Sequence, residues 1–276
     1  MTTVQFRKLV WAYYKKSGRH DLPWRKTTDL YRILVSEMML QQTQVERVIP
    51  FYKNFLKKFP TARRLADAPL SEVLKSWQGL GYNRRAKLLH AAAKELAVTS
   101  DLGTRSNLVT ELEKLPGVGP YTARAVAAFA YNQDVVVIET NIRTAVMHHF
   151  FPNRKKVSDT EIEKILLQVL PKGLPAGRQG SREWYSALMD YGAHLKRSGI
   201  SHNEKSATYA KQSKFVGSLR EARGAILRLL AKESASQERI MKLFSVSRRA
   251  QLLEALGALR VESLVKKKGT TYSLAD

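Results

Sequence analysis

Two glutamates in this sequence have neighbours that would set them to different work. Glu37 follows Leu30, Ile33 and Leu34 at helical spacing, which puts its side chain on the apolar stripe of a helix. A carboxyl in apolar surroundings holds its proton towards neutral pH and can act as a general acid on a leaving group. The same spacing also suits a carboxylate that reaches past the stripe to a lysine or arginine. Glu139 closes the apolar run after Asp134 and precedes Ile142, Ala145, Val146 and Phe150, the start of an amphipathic helix with Thr140 as its expected N-cap. An acid there feels the helix dipole by about 0.3–1 kcal/mol in favour of its ionised form. It either serves that helix alone or supplies a fixed negative charge beside a developing cation. Two carboxyls whose environments push their pKa values apart form the pattern of a paired acid and stabiliser.

A third feature is the turn Leu115-Pro-Gly-Val-Gly-Pro-Tyr-Thr122, which opens onto a helical pattern. Its glycines leave backbone N–H groups uncovered beside a helix N-terminus, a place for a phosphate, although such turns also serve structure alone. The global charge agrees with a polyanion partner. The 276 residues carry 47 Lys+Arg against 24 Asp+Glu, a net charge of +23, on a chain of ordinary hydrophobic content. With no cysteine, disulfides, thiolate metal sites and cysteine nucleophiles are excluded. The adjacent His148 and His149 point about 100° apart on a helix and make no metal pair. No apolar run is long enough for a membrane span and the N-terminus has no secretory pattern, so a cytoplasmic, nucleoid-associated location is expected.

The elements that must position these residues read as helices. Val45, Val48, Ile49, Tyr52, Phe55 and Leu56 form one stripe, and Gly18, Pro23, Pro50, Pro60, Gly79 and Gly81 punctuate the pattern. The run Asp134–Ile138 is strand-like, or a buried connector. Residues 171–182 read as an exposed loop and 196–217 as a basic linker. Three helical patterns then follow, about 218–232, 236–244 and 247–260, and a hairpin around Gly269; this is the layout of a winged helix. The expected fold class is all-α, with a main domain over 1–195 and a winged-helix-like domain over 218–276.

The segment LPGVGPYTA resembles the hairpin of the helix-hairpin-helix DNA glycosylase superfamily. The pattern continues through Leu22-Pro-Trp-Arg25, Ser36-Glu-Met-Met-Leu-Gln-Gln-Thr-Gln-Val45, Trp77-Gln-Gly-Leu-Gly-Tyr82 and Arg85-Ala86, which are similar to the A/G-specific adenine DNA glycosylases. The resemblance covers roughly residues 5–195 and implies a two-lobed glycosylase fold. It implies that Glu37 protonates N7 of a flipped adenine and that Glu139 stabilises the sugar cation. Tyr121 stands where bifunctional relatives carry a Schiff-base lysine, so hydrolysis by water is implied. Gln42 would fill the gap left by the flipped base and Tyr82 would wedge beside the opposite base. Arg85, Gly117, Gly119 and Thr122 would contact DNA; Arg19, Trp24 and Arg25 would line the base pocket.

The chain also departs from that pattern. The family's aspartate is here Glu139 and its following glycine is Thr140; the extra methylene would move the charge by about 1 Å, a displacement able to cost roughly a hundredfold in rate. Asp134 is the nearest replacement acid. The four cysteines that usually follow the helix at Trp184–Ala193 are missing, so no iron-sulfur cluster or other cofactor is expected, and the basic run Lys196–Lys214 would supply its charge. The tail is too short for the family's Nudix-like domain. The expectation is a monomeric, monofunctional DNA N-glycosylase acting on double-stranded DNA with a mispaired or oxidised base, adenine opposite guanine or 8-oxoguanine. A mismatch thymine or uracil glycosylase, or an inactive damage-binding protein, are the alternatives.

Overall fold

A computed structural model describes residues 1–99, 106–170, 180–206 and 214–276. In chain order its helices are α1 (Thr3–Ser17), α2 (Leu30–Leu40), α3 (Val45–Lys58), α4 (Ala62–Ala66), α5 (Leu70–Ser76), α6 (Arg84–Val98) and α7 (Leu108–Glu113). They continue with α8 (Pro120–Tyr131), α9 (Thr140–Phe150), α10 (Asp159–Val169) and α11 (Ser181–Arg197). The C-terminal part comprises α12 (Leu219–Lys232), β1 (Ala235–Ser236), α13 (Gln237–Met241), α14 (Arg249–Val261), β2 (Val265–Lys268) and β3 (Thr271–Leu274).

Contacts divide the chain into two compact units. One takes in Met1–Leu34, Gly103–Lys114 and Val118–Lys211; the other takes in Val35–Leu102, Leu115–Gly117 and Gln212–Asp276. The first is built around α11, whose Trp184, Tyr185 and Leu188 are buried against Phe6 and Val10 of α1 and Val146 of α9. Gly192 lets α11 and α9 meet, because a Cβ there would lie 2.0 Å from the Asn141 carbonyl oxygen. Caps set the helix starts: Thr2 and Gln5 form a capping box on α1, and Ser158 and Glu161 form another on α10.

The second unit begins at Val35 within α2 and continues into α3, whose stripe of Val48, Tyr52 and Phe55 is buried. Pro50, expected to end a helix, lies inside α3, because the apolar stripe outweighs the one hydrogen bond that proline removes. The same unit holds the C-terminal helices and an antiparallel sheet of order β1-β3-β2, with Val265 opposite Leu274 and Lys268 opposite Thr271. Three helices with a strand after the first and a closing hairpin are the winged-helix arrangement, and the sequence pattern lacked only β1.

The chain-order division at 195 and 218 differs from this partition. Helix α11 runs on through Arg197, Ile200 packs on the core of the first unit, and the Val157 N–H donates to the Lys205 carbonyl at 3.0 Å. The start of the supposed linker is thus docked, because Ile200 supplies an apolar anchor in a basic stretch. Residues 207–213 of that stretch, and 171–179 of the expected loop, lie outside the described residues. Asp134–Ile138 is a connector with Val136 and Val137 buried, not a strand.

Candidate functional site

The part of α2 that belongs to the second unit is buried on every side from Val35 to Met39, and Glu37 lies within that run at 7% exposure. The helix ends into Gln41–Gln44, where orphan carbonyls need donors. Arg85 of α6 supplies them. Its Nη1 donates to the carbonyls of Met38 (2.8 Å), Met39 (3.0 Å) and Gln41 (2.6 Å), and its Nη2 to Thr43 Oγ1 and the Gly81 carbonyl. Burial pushes this guanidinium down to about 10, so it stays charged at neutral pH. Arg85 was expected on DNA; it is instead buried, because five oxygens from the end of α2 and from two loops converge on one planar fork.

Those two loops carry the wedge candidates. Gln42 has φ +55° and Tyr82 φ +48°, two of four non-glycine residues in the left-handed region among the described residues. Each such backbone costs of order 1–3 kcal/mol and persists only where its surroundings hold it. Gly79 (φ +101°) and Gly81 (φ +77°) shape the approach to Tyr82, and Trp77 Nε1 donates to the Gly81 carbonyl at 3.2 Å. The Tyr82 ring has Arg85 at 5.3 Å and Arg220 of α12 at 5.4 Å from its centroid.

At the glycine turn the two glycines separate in role. A Cβ on Gly117, at φ +79°, would meet Leu88 at 2.7 Å and Met38 at 3.0 Å, so this position needs glycine for packing. Gly119 is the N-cap of α8 and has open space where a Cβ would stand. Tyr121, at the second position of α8, packs partly against the core of the first unit. Thr122 is 3% exposed, so its side chain belongs to the interior and does not present a hydroxyl to DNA; it lies on the inward side of α8 with Ala123 and Val126.

Glu139 takes the N-cap of α9 itself, one residue earlier than the expected Thr140. Its Oε1 accepts from the N–H groups of Asn141 and Ile142, both at 2.8 Å; its Oε2 accepts from Asn141 Nδ2 at 3.1 Å and Thr140 Oγ1 at 3.2 Å. The longer side chain folds back, so the methylene that separates Glu from Asp is spent on reaching its own helix. Arg143, one turn on, is fixed to Asp159 of α10 by two bonds of 2.8 and 2.7 Å. Asp134 is committed elsewhere, accepting from Ser181 Oγ at 2.6 Å at the start of α11.

The arginines expected to line the base pocket serve a buried acid. Asp190 of α11 accepts from the Arg19 N–H (2.7 Å) and Nε (2.6 Å) and from both Arg25 Nη atoms (2.7 and 2.9 Å). These bonds tie Leu22-Pro-Trp-Arg25 to α11. Although burial opposes ionisation most strongly, the two guanidiniums together hold the carboxyl below its usual range. Trp24 is half-buried beside them.

This geometry can be set beside known proteins. Residues 35–172 match the HhH-GPD superfamily of base excision DNA repair proteins. The adenine DNA glycosylase of Mycolicibacterium smegmatis is 35% identical over 91% of this chain and 89% of its own length. The chain belongs to this family. The adenine DNA glycosylase of Buchnera aphidicola subsp. Baizongia pistaciae is 36% identical over 70% of this chain and 53% of its own, so the match spans about half of that relative. Among solved structures, a thermostable thymine-DNA glycosylase superposes with a TM-score of 0.57 at 25% identity, covering 74% of this chain and 93% of its own. A trapped endonuclease III–DNA intermediate gives 0.54 at 21% identity, over 72% and 87%, and shows the shared fold.

The iron-sulfur cluster associated with the superfamily's adenine branch does not fit this chain. No cysteine exists to ligate it, and no group of three or more His, Asp or Glu among the described residues could hold a metal ion. The segment after α11 is closed by side chains: the His202 ring stacks on His148 at 5.7 Å, and Ile200 packs on the core. Sequence reasoning missed two residues here: Asn141, which with Thr140 holds Glu139, and Asp190, which gathers the arginines. An acid within the apolar stripe of α11 was the available signal for the last. Among the described residues no helix is long and apolar enough to cross a membrane.

Proposed function

We propose that this chain is a monofunctional adenine DNA glycosylase that removes adenine mispaired with guanine or 8-oxoguanine from duplex DNA. The observation that carries the reading is in the second unit: the second half of α2, with its buried Glu37, leads directly into Gln42, and one buried arginine holds Gln42 and Tyr82 in strained backbone conformations. Strain of this kind gathers where a protein clamps a ligand, and two residues held ready to enter a base stack suit base flipping. Adenine is the base named for the relatives.

Glu37 delivers its proton to N7 of the extruded adenine, which makes the base a better leaving group. The C1′–N9 bond breaks with its electron pair going to the base, and the sugar becomes an oxocarbenium-like cation. Glu139, held by the donors of Thr140, Asn141 and Ile142, supplies the opposing negative charge. Water adds at C1′, gives up a proton to the Glu37 carboxylate and leaves an abasic site. Tyr121 offers no amine for a Schiff base, so the strand is left uncut. Gly119 and the start of α8 take a backbone phosphate, the role suited to a helix N-terminus with an open cap. The reading requires no cluster and no metal.

The test is single-turnover incubation with duplexes carrying A opposite 8-oxoguanine, A opposite G, and T or U opposite G, followed by alkali to reveal abasic sites. Scission confined to the adenine strand is expected. Release of T or U with no release of A would move the activity to a pyrimidine mismatch glycosylase, and binding without release on every duplex would leave a damage-binding protein.

A further inference from the structure

Tyr82 is held from a direction that the family motifs do not contain. Arg220, at the start of α12, donates through Nη1 to the Tyr82 hydroxyl at 2.6 Å, across 138 positions of sequence, and its guanidinium also lies over the ring. Arg85 meets the same ring and anchors the Gly81 carbonyl just before it. The approach of α12 is itself secured: Lys87 of α6 donates to the Glu262 carbonyl at 2.6 Å, and Glu262 takes both Nη atoms of Arg223 at 2.9 and 2.6 Å. All these residues belong to the second unit. A tyrosine at φ +48° with its hydroxyl tied to a cation has little freedom to swing aside.

We propose that the C-terminal winged-helix segment sets discrimination at the base pair through Arg220, which positions Tyr82 as the wedge on the strand opposite the flipped base. This rests on the glycosylase reading above and names the part of the chain that tunes it. Arg220 is a positioning residue: it acts through the tyrosine, fixing ring and hydroxyl together before DNA arrives. A preset wedge lowers the ordering cost of opening the correct site and leaves the affinity for intact duplex, set by phosphates, almost unchanged.

The experiment uses the full chain and compares wild type, Arg220→Gln, Tyr82→Phe and the double variant. Equilibrium binding is measured to duplex with A opposite 8-oxoguanine and to the matched duplex, and 2-aminopurine beside the 8-oxoguanine reports local unstacking. Loss of a hydrogen bond to a charged group predicts that each single variant lowers the ratio of specific to matched binding by about tenfold, with a smaller fluorescence rise. The double variant should lose little more, because both changes break one contact. Losses that multiply in the double variant, or an equal weakening on both duplexes with a shallower salt dependence, would overturn the proposal and make Arg220 a phosphate contact. Thermal unfolding of Arg220→Gln guards the comparison: a loss of fluorescence response with Tm unchanged supports positioning, whereas a large fall in Tm with the binding ratio unchanged refutes it. Binding and fluorescence do not need base release, so absence of release on every duplex would refute the glycosylase reading while these readouts still judged the brace.

Discussion

Glu37 and Glu139 are the same side chain kept by opposite means. Glu37 stands in the middle of α2, among Leu34, Val35, Met38 and Met39, with almost no contact with water. Glu139 stands at the open end of α9 with four donors on its two oxygens. The first carboxyl is enclosed within a helix among apolar side chains; the second spends both oxygens on hydrogen bonds at a helix start. In the reaction proposed above, the acid thus stands mid-helix and the stabilising carboxylate at an N-cap.

The largest effect should come from Glu37→Gln, which keeps shape and removes the transferable proton. Base release from A opposite 8-oxoguanine is expected to fall by about 10²–10⁴-fold, the usual worth of a general acid, with duplex binding retained. Lost binding would recast Glu37 as a structural carboxylate. Glu139→Gln breaks the other side of the comparison. Its amide oxygen can still accept from Asn141 and Ile142, so Tm should hold while single-turnover release drops by about a hundredfold or more, in line with removal of an electrostatic stabiliser. A variant with full rate would show that Glu139 caps α9 and does nothing else.

Asp190→Asn probes the scaffold behind this chemistry. It strips the anion from two arginines at once and is expected to cost about 3 kcal/mol in denaturant unfolding, the lower end for breaking a buried pair because Arg19 remains partly in water. An unchanged midpoint would mean the arginines find other partners.

What the sequence made legible follows from the range of each interaction. Helices, the glycine turn and the winged-helix pattern depend on neighbours a few positions away, and they were readable from spacing and caps. The three arginines were not. Arg19 and Arg25 find their partner 171 and 165 positions on, and Arg85 finds backbone oxygens 44 to 47 positions back, so nothing beside them announces burial. A strongly basic chain invites the reading of each arginine as a DNA contact, yet these three are spent on partners within the protein. Thr140 was expected to cap α9 because short hydroxyl side chains usually do; Glu139 took the place because its carboxylate reaches two N–H groups at once.

A smaller effect separates burial from charge in the first unit. His149 is pressed between Phe6 and Tyr191, with its Nε2 2.7 Å from the Tyr191 hydroxyl. Burial, aided by the nearby His148 and chain terminus, pushes it down to about 4 from an ordinary value of 6.5. The unfolded chain therefore binds more protons between those two values, and stability must fall as pH drops from 6.5 towards 4. Carboxylates such as Asp190 lose stability as pH falls through their lowered values, so the comparison is with His149→Phe. The difference in Tm between wild type and variant should shift in favour of the variant on going from pH 7 to pH 4.5; a difference that does not move with pH would mean the imidazole is already wet.

The smallest effect returns to the wedge. Gln42→Gly removes the cost of a left-handed backbone at φ +55° but adds freedom to the unfolded chain, so the two terms partly cancel and Tm should change by a degree or two at most. Release should nevertheless slow by about tenfold or more, because no side chain remains to fill the gap left by the flipped base. The dissociation of the two readouts carries the point: a strained residue whose relief leaves stability nearly level while activity falls is strained for the sake of its side chain. If both were unchanged, the left-handed turn after α2 would be a by-product of the Arg85 clamp, and the second unit would open the duplex through Tyr82 alone.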